Sequence, residues 1–262
     1  MRYLNSILTL VILFTASCTS QKKLAYLGNL PETGGEENFI MEIPDYKIQP
    51  RDILYITIKA MTPEGTIADM LSSGRSGISG TTTQYESGQY LFGFDVDPDG
   101  YILLPAVGRV KVGGLTLEGT KRILQESVSK VFINSTVECK LLSFKFTVIG
   151  EVRSPGTYIN YNNYLTVLEA IGRAGGLSDF GRRDRILVIR PVDGGTKTYR
   201  LNLKDKQILS SEAYFLLPND VVIIEPESKK IFNLNLPTYS FIITTTLSAI
   251  TTTLLLINYF GK

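Results

Sequence analysis

The 262-residue chain contains no histidine and no tryptophan, and it has only two cysteines. Without histidine, it cannot build a Ser-His-Asp or Cys-His catalytic group or a histidine-ligated metal site. Two cysteines are too few for a four-cysteine zinc site. Lysine and arginine number 27 against 25 acidic residues, and a formal charge of +2 gives no general attraction to nucleic acid. We therefore expect no cofactor, no metal and no nucleic-acid partner.

The N-terminal segment has the features of a secretory signal. A single arginine precedes an apolar run over residues 4–16, and two small residues stand directly before Cys18. This predicts a signal peptide over 1–17. An uncleaved membrane anchor is the alternative, although the run is shorter than the ~20 residues that a spanning helix needs. The cysteine resembles that of a bacterial lipobox, and the resemblance implies a lipid on Cys18 and a lipidated tether over 18–42.

The C-terminal segment 238–260 contains 23 residues without a charge. As a helix it would be about 34 Å long, which is enough for a hydrocarbon layer of ~30 Å. This predicts a transmembrane helix over 238–260, with Pro237 directly ahead of it and a linker before it in the segment 229–262.

Serine and threonine residues fall on one side of this predicted helix, and most aliphatic residues fall on the other. In a ring of such helices, the hydroxyl side could face a water-filled lumen or a neighbouring helix. The alternative is that each hydroxyl donates to a carbonyl one turn earlier, as in any membrane helix. The predicted pore-lining residues are Ser240, Thr244, Thr245, Ser248, Thr251 and Thr252.

Between the two ends, short strands alternate with two amphipathic helices. Polar and apolar residues alternate over 46–58, which predicts a half-buried strand. Thr116 and Thr166 are predicted N-caps, and the glycine pair at 175–176 is predicted to end the second helix. Residues 72–89, rich in serine, glycine and threonine, are predicted to form a long mobile loop. The order of elements indicates an α+β fold with a mixed sheet and a helix packed on it.

Five motifs, in order along the chain, resemble those of a known family. They are YKIQPRD-ILYITI, VDPDGYILLPAVGRVKVGGLTLEG, VIGEVRSPGTY, LTVLEAIGRAGGL and LPNDVVII. Together with both ends, they resemble the bacterial outer-membrane polysaccharide export lipoproteins, the Wza-like translocons. The first two resemble the polysaccharide-export domain, expected over 43–145. The others resemble one β-grasp-like SLBB domain, expected over 146–228.

The resemblance implies a translocon subunit, not an enzyme. It implies a lipid-anchored protein of the outer membrane with its main body in the periplasm. It also implies a homo-oligomeric ring of about eight subunits whose terminal helices form an α-helical barrel. Capsular or extracellular polysaccharide would be the cargo, and an inner-membrane polysaccharide co-polymerase, often a tyrosine kinase, would be a partner. The alternative is a lipid-anchored periplasmic protein that binds a soluble ligand or sugar.

Three further patterns imitate functional sites. Residues 95–100 match the start of a calcium loop, but its twelfth position is alanine, so a turn between strands is favoured. Ser127 and Lys130 match an S-x-x-K nucleophile motif whose companion motifs are missing. The basic cluster at 182–185 could meet anionic sugars, but a solvated loop or a subunit contact is favoured.

Overall fold

The computed structural model describes four parts of the chain, residues 25–31, 35–71, 93–192 and 194–260. The predicted signal peptide, Cys18 and the predicted loop at 72–89 lie outside these residues.

The described strands are β1 (Ile53–Met61), β2 (Ile67–Asp69), β3 (Phe94–Asp95), β4 (Tyr101–Leu104), β5 (Gly108–Lys111), β6 (Thr136–Leu141), β7 (Lys145–Gly150), β8 (Gly156–Ile159), β9 (Gly181–Val192), β10 (Gly195–Leu201) and β11 (Val221–Pro226). The described helices are α1 (Leu117–Val128), α2 (Val167–Arg173), a short 3₁₀ turn (Lys206–Ser210) and α3 (Ser228–Phe260).

The first sheet is built around β1. Its alternate residues Leu54, Ile56 and Ile58 are fully buried, as the period of a half-buried strand predicts. Strand β1 pairs antiparallel with β2, β3 and β6, while β4 and β5 form a separate hairpin. Helix α1 begins at the predicted cap Thr116, whose side chain accepts a hydrogen bond from the backbone N–H of Gly119. The helix closes the core by burying its apolar side against this sheet.

The second sheet has five strands in the order β10-β9-β11-β7-β8. Strands β11 and β7 are parallel and the other neighbours are antiparallel, so the predicted mixed sheet is confirmed. Helix α2 begins at the predicted cap Thr166, which forms a reciprocal capping box with Glu169. It ends at the predicted glycine pair, where Gly175 and Gly176 have φ angles of 77° and 83°.

A buried ion pair in the second domain joins β9 to the segment directly before β11. Arg190 on β9 is 4% exposed and Asp220, just before β11, is 0% exposed. The guanidinium donates three hydrogen bonds to the carboxylate of Asp220, two from Nε at 3.1 and 3.2 Å and one from Nη2 at 2.8 Å. It also donates to the carbonyl of Phe215 at 2.8 Å, and the carboxylate accepts from the N–H of Leu217 at 2.8 Å. Both charges are therefore paired and hydrogen-bonded, which is the condition for burying them.

The C-terminal helix differs from its prediction. Helix α3 begins at Ser228, so residues 229–237 are helical instead of a linker, and Pro237 lies inside the helix instead of ahead of it. The early start has a tertiary cause, because Lys230 in the first turn is bound to the second domain. Among the described residues, no helix is long and apolar enough to cross a membrane. Within these residues, the predicted transmembrane assignment of 238–260 is therefore not supported.

Candidate functional site

The segment expected to be a tether packs on the second domain over part of its length. We call residues 25–31 and 35–48 the N-terminal strap. The N–H of Leu27 donates to the carbonyl of Leu203 at 2.8 Å. The side chain of Asn29 donates to Asp205 at 2.9 Å and accepts from the N–H of Lys206 at 2.7 Å. Backbone and side-chain hydrogen bonds therefore hold this part of the predicted tether on the second domain.

The strap and helix α3 leave the second domain from neighbouring positions. The guanidinium carbon of Arg183 lies 5.6 Å from the ring centre of Tyr26 in the strap. The N–H of Glu227, directly before α3, donates to the carbonyl of Phe180 at 2.7 Å. Residues 180–183 thus contact the start of the strap and the start of α3. The same end of the second domain therefore carries the start of the strap and the start of α3.

A three-residue cluster holds the first turn of α3. The ammonium of Lys230 pairs with the carboxylate of Glu151, and the hydroxyl of Ser178 donates to the other oxygen of that carboxylate at 2.7 Å. The hydrogen bond from Lys230 has the larger effect and that from Ser178 the next, and both favour the ionised carboxylate of Glu151. They hold the pKa of Glu151 below its ordinary value. The cluster ties α3 to the turn that follows β7.

Four predicted pore-lining residues of α3 share one shallow groove on its surface. These are Thr244, Thr245, Ser248 and Thr252, and Phe241, Ala249 and Thr253 line the groove with them. Ser240 and Thr251, also predicted, are not among the residues that line it. The structure thus brings most of the predicted stripe together on one side of the helix. Whether that side lines a pore stays a prediction.

The threonine hydroxyls of α3 donate to the helix's own backbone. Thr244 donates to the carbonyl of Ser240, and Thr252 to that of Ser248, both at 2.8 Å. The structure therefore contains the back-bonding that the sequence offered as the alternative explanation of the stripe. A hydroxyl has one donor hydrogen and two lone pairs, so each oxygen can still accept a hydrogen bond. The groove consequently presents acceptors and methyl groups.

The imitated calcium loop is a turn between β3 and β4. The carboxylate of Asp97 accepts from the N–H of Tyr101 at 2.7 Å and pairs with Arg109 at 2.8 Å. The backbone bond from Tyr101 and then the Arg109 guanidinium hold the pKa of Asp97 below its ordinary value. Within the described ranges, no group of three or more ligating side chains is placed to hold a metal ion.

The other two imitations are also engaged in local structure. The hydroxyl of Ser127 donates to the carbonyl of Ile123, one turn earlier in α1, at 2.9 Å. The basic cluster lies in strand β9, so the expectation of a solvated loop is wrong, and the other favoured explanation, a subunit contact, stays a prediction. Arg182 pairs with Asp184 at 2.7 Å inside the cluster, which neutralises part of its charge.

Sequence reasoning missed the two contacts that fix the second domain and its helix. Glu151 and Lys230 are separated by 79 residues, and Arg190 and Asp220 by 30. No local spacing brings such partners together, and only the strand order of the sheet does. The sole signal was compositional: Arg190 directly follows the apolar run 186–189 of β9, and a charge at the end of such a buried run calls for a buried partner.

Two family comparisons match the two sheets in order. The family described as polysaccharide biosynthesis/export protein matches residues 42–142, and the SLBB domain matches residues 144–224. The chain carries a polysaccharide-export domain followed by an SLBB domain. The predicted resemblance to Wza-like export proteins is thereby confirmed.

Two relatives carry the same printed name, EPS I polysaccharide export outer membrane protein EpsA. The protein of Ralstonia solanacearum is 29% identical over 147 residues, which is 53% of this chain and 38% of the relative. The protein of Ralstonia nicotianae is 35% identical over 101 residues, which is 36% of this chain and 26% of the relative. The chain therefore spans well under half the length of either relative.

Proposed function

We propose that this chain is a subunit of an outer-membrane channel that exports capsular or extracellular polysaccharide. The observation that carries the proposal is the match of two consecutive domains, in order, to the export and SLBB families. The relatives are named as polysaccharide export proteins of the outer membrane. The chain acts by supplying a path for the polymer and breaks no bond in it.

Because the strap and α3 both start at the same end of the second domain, they support one orientation of the protein relative to the outer membrane. Cys18 lies eight residues before Tyr26, so even a fully extended chain places Cys18 within about 28 Å of the backbone of Tyr26, whose ring contacts Arg183. Helix α3 starts beside Phe180, and its 33 residues extend for about 50 Å. Lipid and helix then approach the outer membrane from the same end of the second domain, and the first domain stays in the periplasm.

The channel itself is a homo-oligomeric ring of about eight subunits, closed by head-to-tail contacts. In the ring, the α3 helices cross the membrane as a group and not singly. They stand side by side and turn the groove of Thr244, Thr245, Ser248 and Thr252 toward the lumen, so that lipid meets only their other side. Acceptor oxygens whose donors are already used bind sugar hydroxyls one weak hydrogen bond at a time, which lets a polymer leave as readily as it enters. An inner-membrane co-polymerase supplies the driving force.

Charged thiol reagents on variants that each carry one introduced cysteine, with Cys139 buried, test this arrangement in reconstituted bilayers. Cysteines at Ser248 and Thr252 sit in the groove, whereas cysteines at Ile243 and Ile250 are matched controls on the opposite side, each more than half exposed in the single chain. We expect a methanethiosulfonate carrying a positive charge to change the conductance of the groove variants and to leave the controls unaltered. Equal effects on both sides, or no conductance from the unmodified protein, would contradict the channel.

Two further variants separate the channel from a lipid-anchored binding protein. Deletion of 238–260 abolishes conductance and polysaccharide export if α3 forms the channel, and it leaves export intact if the chain only binds a ligand. Cys18→Ala abolishes metabolic labelling with palmitate if Cys18 carries the lipid. Persistent labelling in that variant would overturn the anchor.

A further inference from the structure

A cleft of about 960 Å³ lies between the two domains. The strap around Tyr46 and the start of α1 form one wall. The loop 161–164 and the segment 215–218, which lies directly before Asp220, form the other. The cleft is within the size range of ligand sites, and its lining mixes aromatic rings with amides and carboxylates.

The loop in this cleft is held in shape from beneath. The side chain of Asn160 is 1% exposed and donates to the carbonyls of Asn162 at 2.7 Å and Tyr164 at 3.3 Å. Arg173 at the end of α2 donates to the side-chain oxygen of Asn160 at 3.0 Å. These bonds fix the backbone of the loop before any ligand arrives, and a preorganised loop lowers the entropic cost of binding.

The fixed loop exposes aromatic and amide groups, although a burial-driven fold gains nothing from exposing them. Tyr161 is 70% exposed and Tyr164 is 49% exposed, with its ring edge-on to Phe215 at 6.1 Å between ring centres. Asn162 and Asn163 between them are also exposed. A tyrosine ring offers a flat apolar face and a hydroxyl, and an amide offers donors and an acceptor. A pyranose ring presents the complement, an apolar C–H face and a rim of hydroxyls.

Charge narrows the class of ligand. The carboxylates of Asp45, Glu118 and Glu169 line the cleft against the single ammonium of Lys140. One oxygen of Glu169 is occupied by the capping box of α2. The excess of negative charge disfavours a polyanion, while free carboxylate oxygens accept hydrogen bonds from sugar hydroxyls.

We propose that this inter-domain cleft binds a short segment of an uncharged carbohydrate chain, with a sugar face stacked on Tyr161 and its hydroxyls bonded to Asn162 and Asn163. The inference rests on the proposed function for its cargo, and it assigns to the soluble body a polymer contact separate from α3. A second copy of this chain in the cleft is the rival occupant.

The test is saturation-transfer NMR on the full-length protein in detergent. The probes are neutral oligosaccharides released by mild acid from the extracellular polysaccharide of the producing cells, maltohexaose, and oligogalacturonate as an anionic probe. We expect the cell-derived neutral fragments to bind, Tyr161→Phe to retain that binding, and the double variant Tyr161→Ala with Asn162→Ala to weaken it at least tenfold. Leu103→Ala, which alters an apolar residue 69% exposed outside the cleft, is the matched control and leaves binding unchanged.

Several results would overturn the cleft assignment. The first is that no neutral probe shows saturation transfer. The second is that the protein prefers oligogalacturonate to the neutral fragments, and the third is that the double variant binds them as well as the unmodified protein. A change in particle size in the double variant with unaltered glycan binding would identify the cleft as a subunit contact instead. Failure here leaves the proposed function standing if deletion of the whole chain stops export. Export that survives that deletion refutes the proposed function, whatever the NMR result.

Discussion

The substitution Asp220→Asn tests whether the buried ion pair holds the second domain together. It keeps the shape of the side chain and removes its charge, so the guanidinium of Arg190, 4% exposed, loses its counter-ion inside the sheet. Breaking a buried pair from one side costs about 3–5 kcal/mol, because an uncompensated charge stays behind. The pair also holds the segment before β11 through Phe215 and Leu217, so the cleft wall should loosen with it.

Peptide-level hydrogen exchange on the full chain measures this effect in each domain separately. A loss of 3–5 kcal/mol raises the population of the opened second domain by about two to three and a half orders of magnitude. Amides of β9 and β11 should exchange faster by that factor if they exchange through global opening of the domain. Strand β1, in the first sheet, serves as the internal control and should change little.

The paired replacement Arg190→Met with Asp220→Leu sharpens the argument. It removes both charges and fills the space with apolar groups, so it should cost less than Asp220→Asn alone, although the carbonyl of Phe215 and the N–H of Leu217 lose a partner. A double variant as unstable as the sum of the two single variants would refute the reasoning from desolvation. A cost below 1 kcal/mol for Asp220→Asn would show that the charge is not buried as described.

Three further predictions concern separate positions. Hydrogen bonds from Lys230 depress the pKa of Glu151, so the stability that they contribute is complete above about pH 4.5 and is lost as the pH falls through the lower folded-state pKa. Limited proteolysis near the start of α3 should therefore increase at that low pH. The variant Glu151→Gln should show the same increase at pH 7. Burial raises the pKa of the Cys139 thiol to about 12, so iodoacetamide at pH 8 should modify it only after urea is added, as followed by peptide mass spectrometry. Gly150 has a φ of 92° and lies against a backbone carbonyl of β11, so Gly150→Ala should lower the urea midpoint strongly, whereas Gly195→Ala, with open space around it, should not.

The structure confirms the features that depend on a few adjacent residues. The caps at Thr116 and Thr166, the glycine end of α2 and the alternation in β1 all follow from hydrogen bonds and side-chain periods within one or two turns. Such interactions need no distant partner. The family motifs belong to the same class, since each is a run of adjacent residues that forms a strand, a turn, a hairpin or a capped helix.

The sequence by itself therefore determined the mixed α+β character, the helix starts in both domains and the family. Only the tertiary structure decided where α3 begins, because Lys230 finds Glu151 across 79 residues of chain. It also decided that the strap packs on the second domain, and that the loop at 161–164 faces the first domain across a cleft. These features arise where two segments meet, and the strand order of the sheets determines which segments meet.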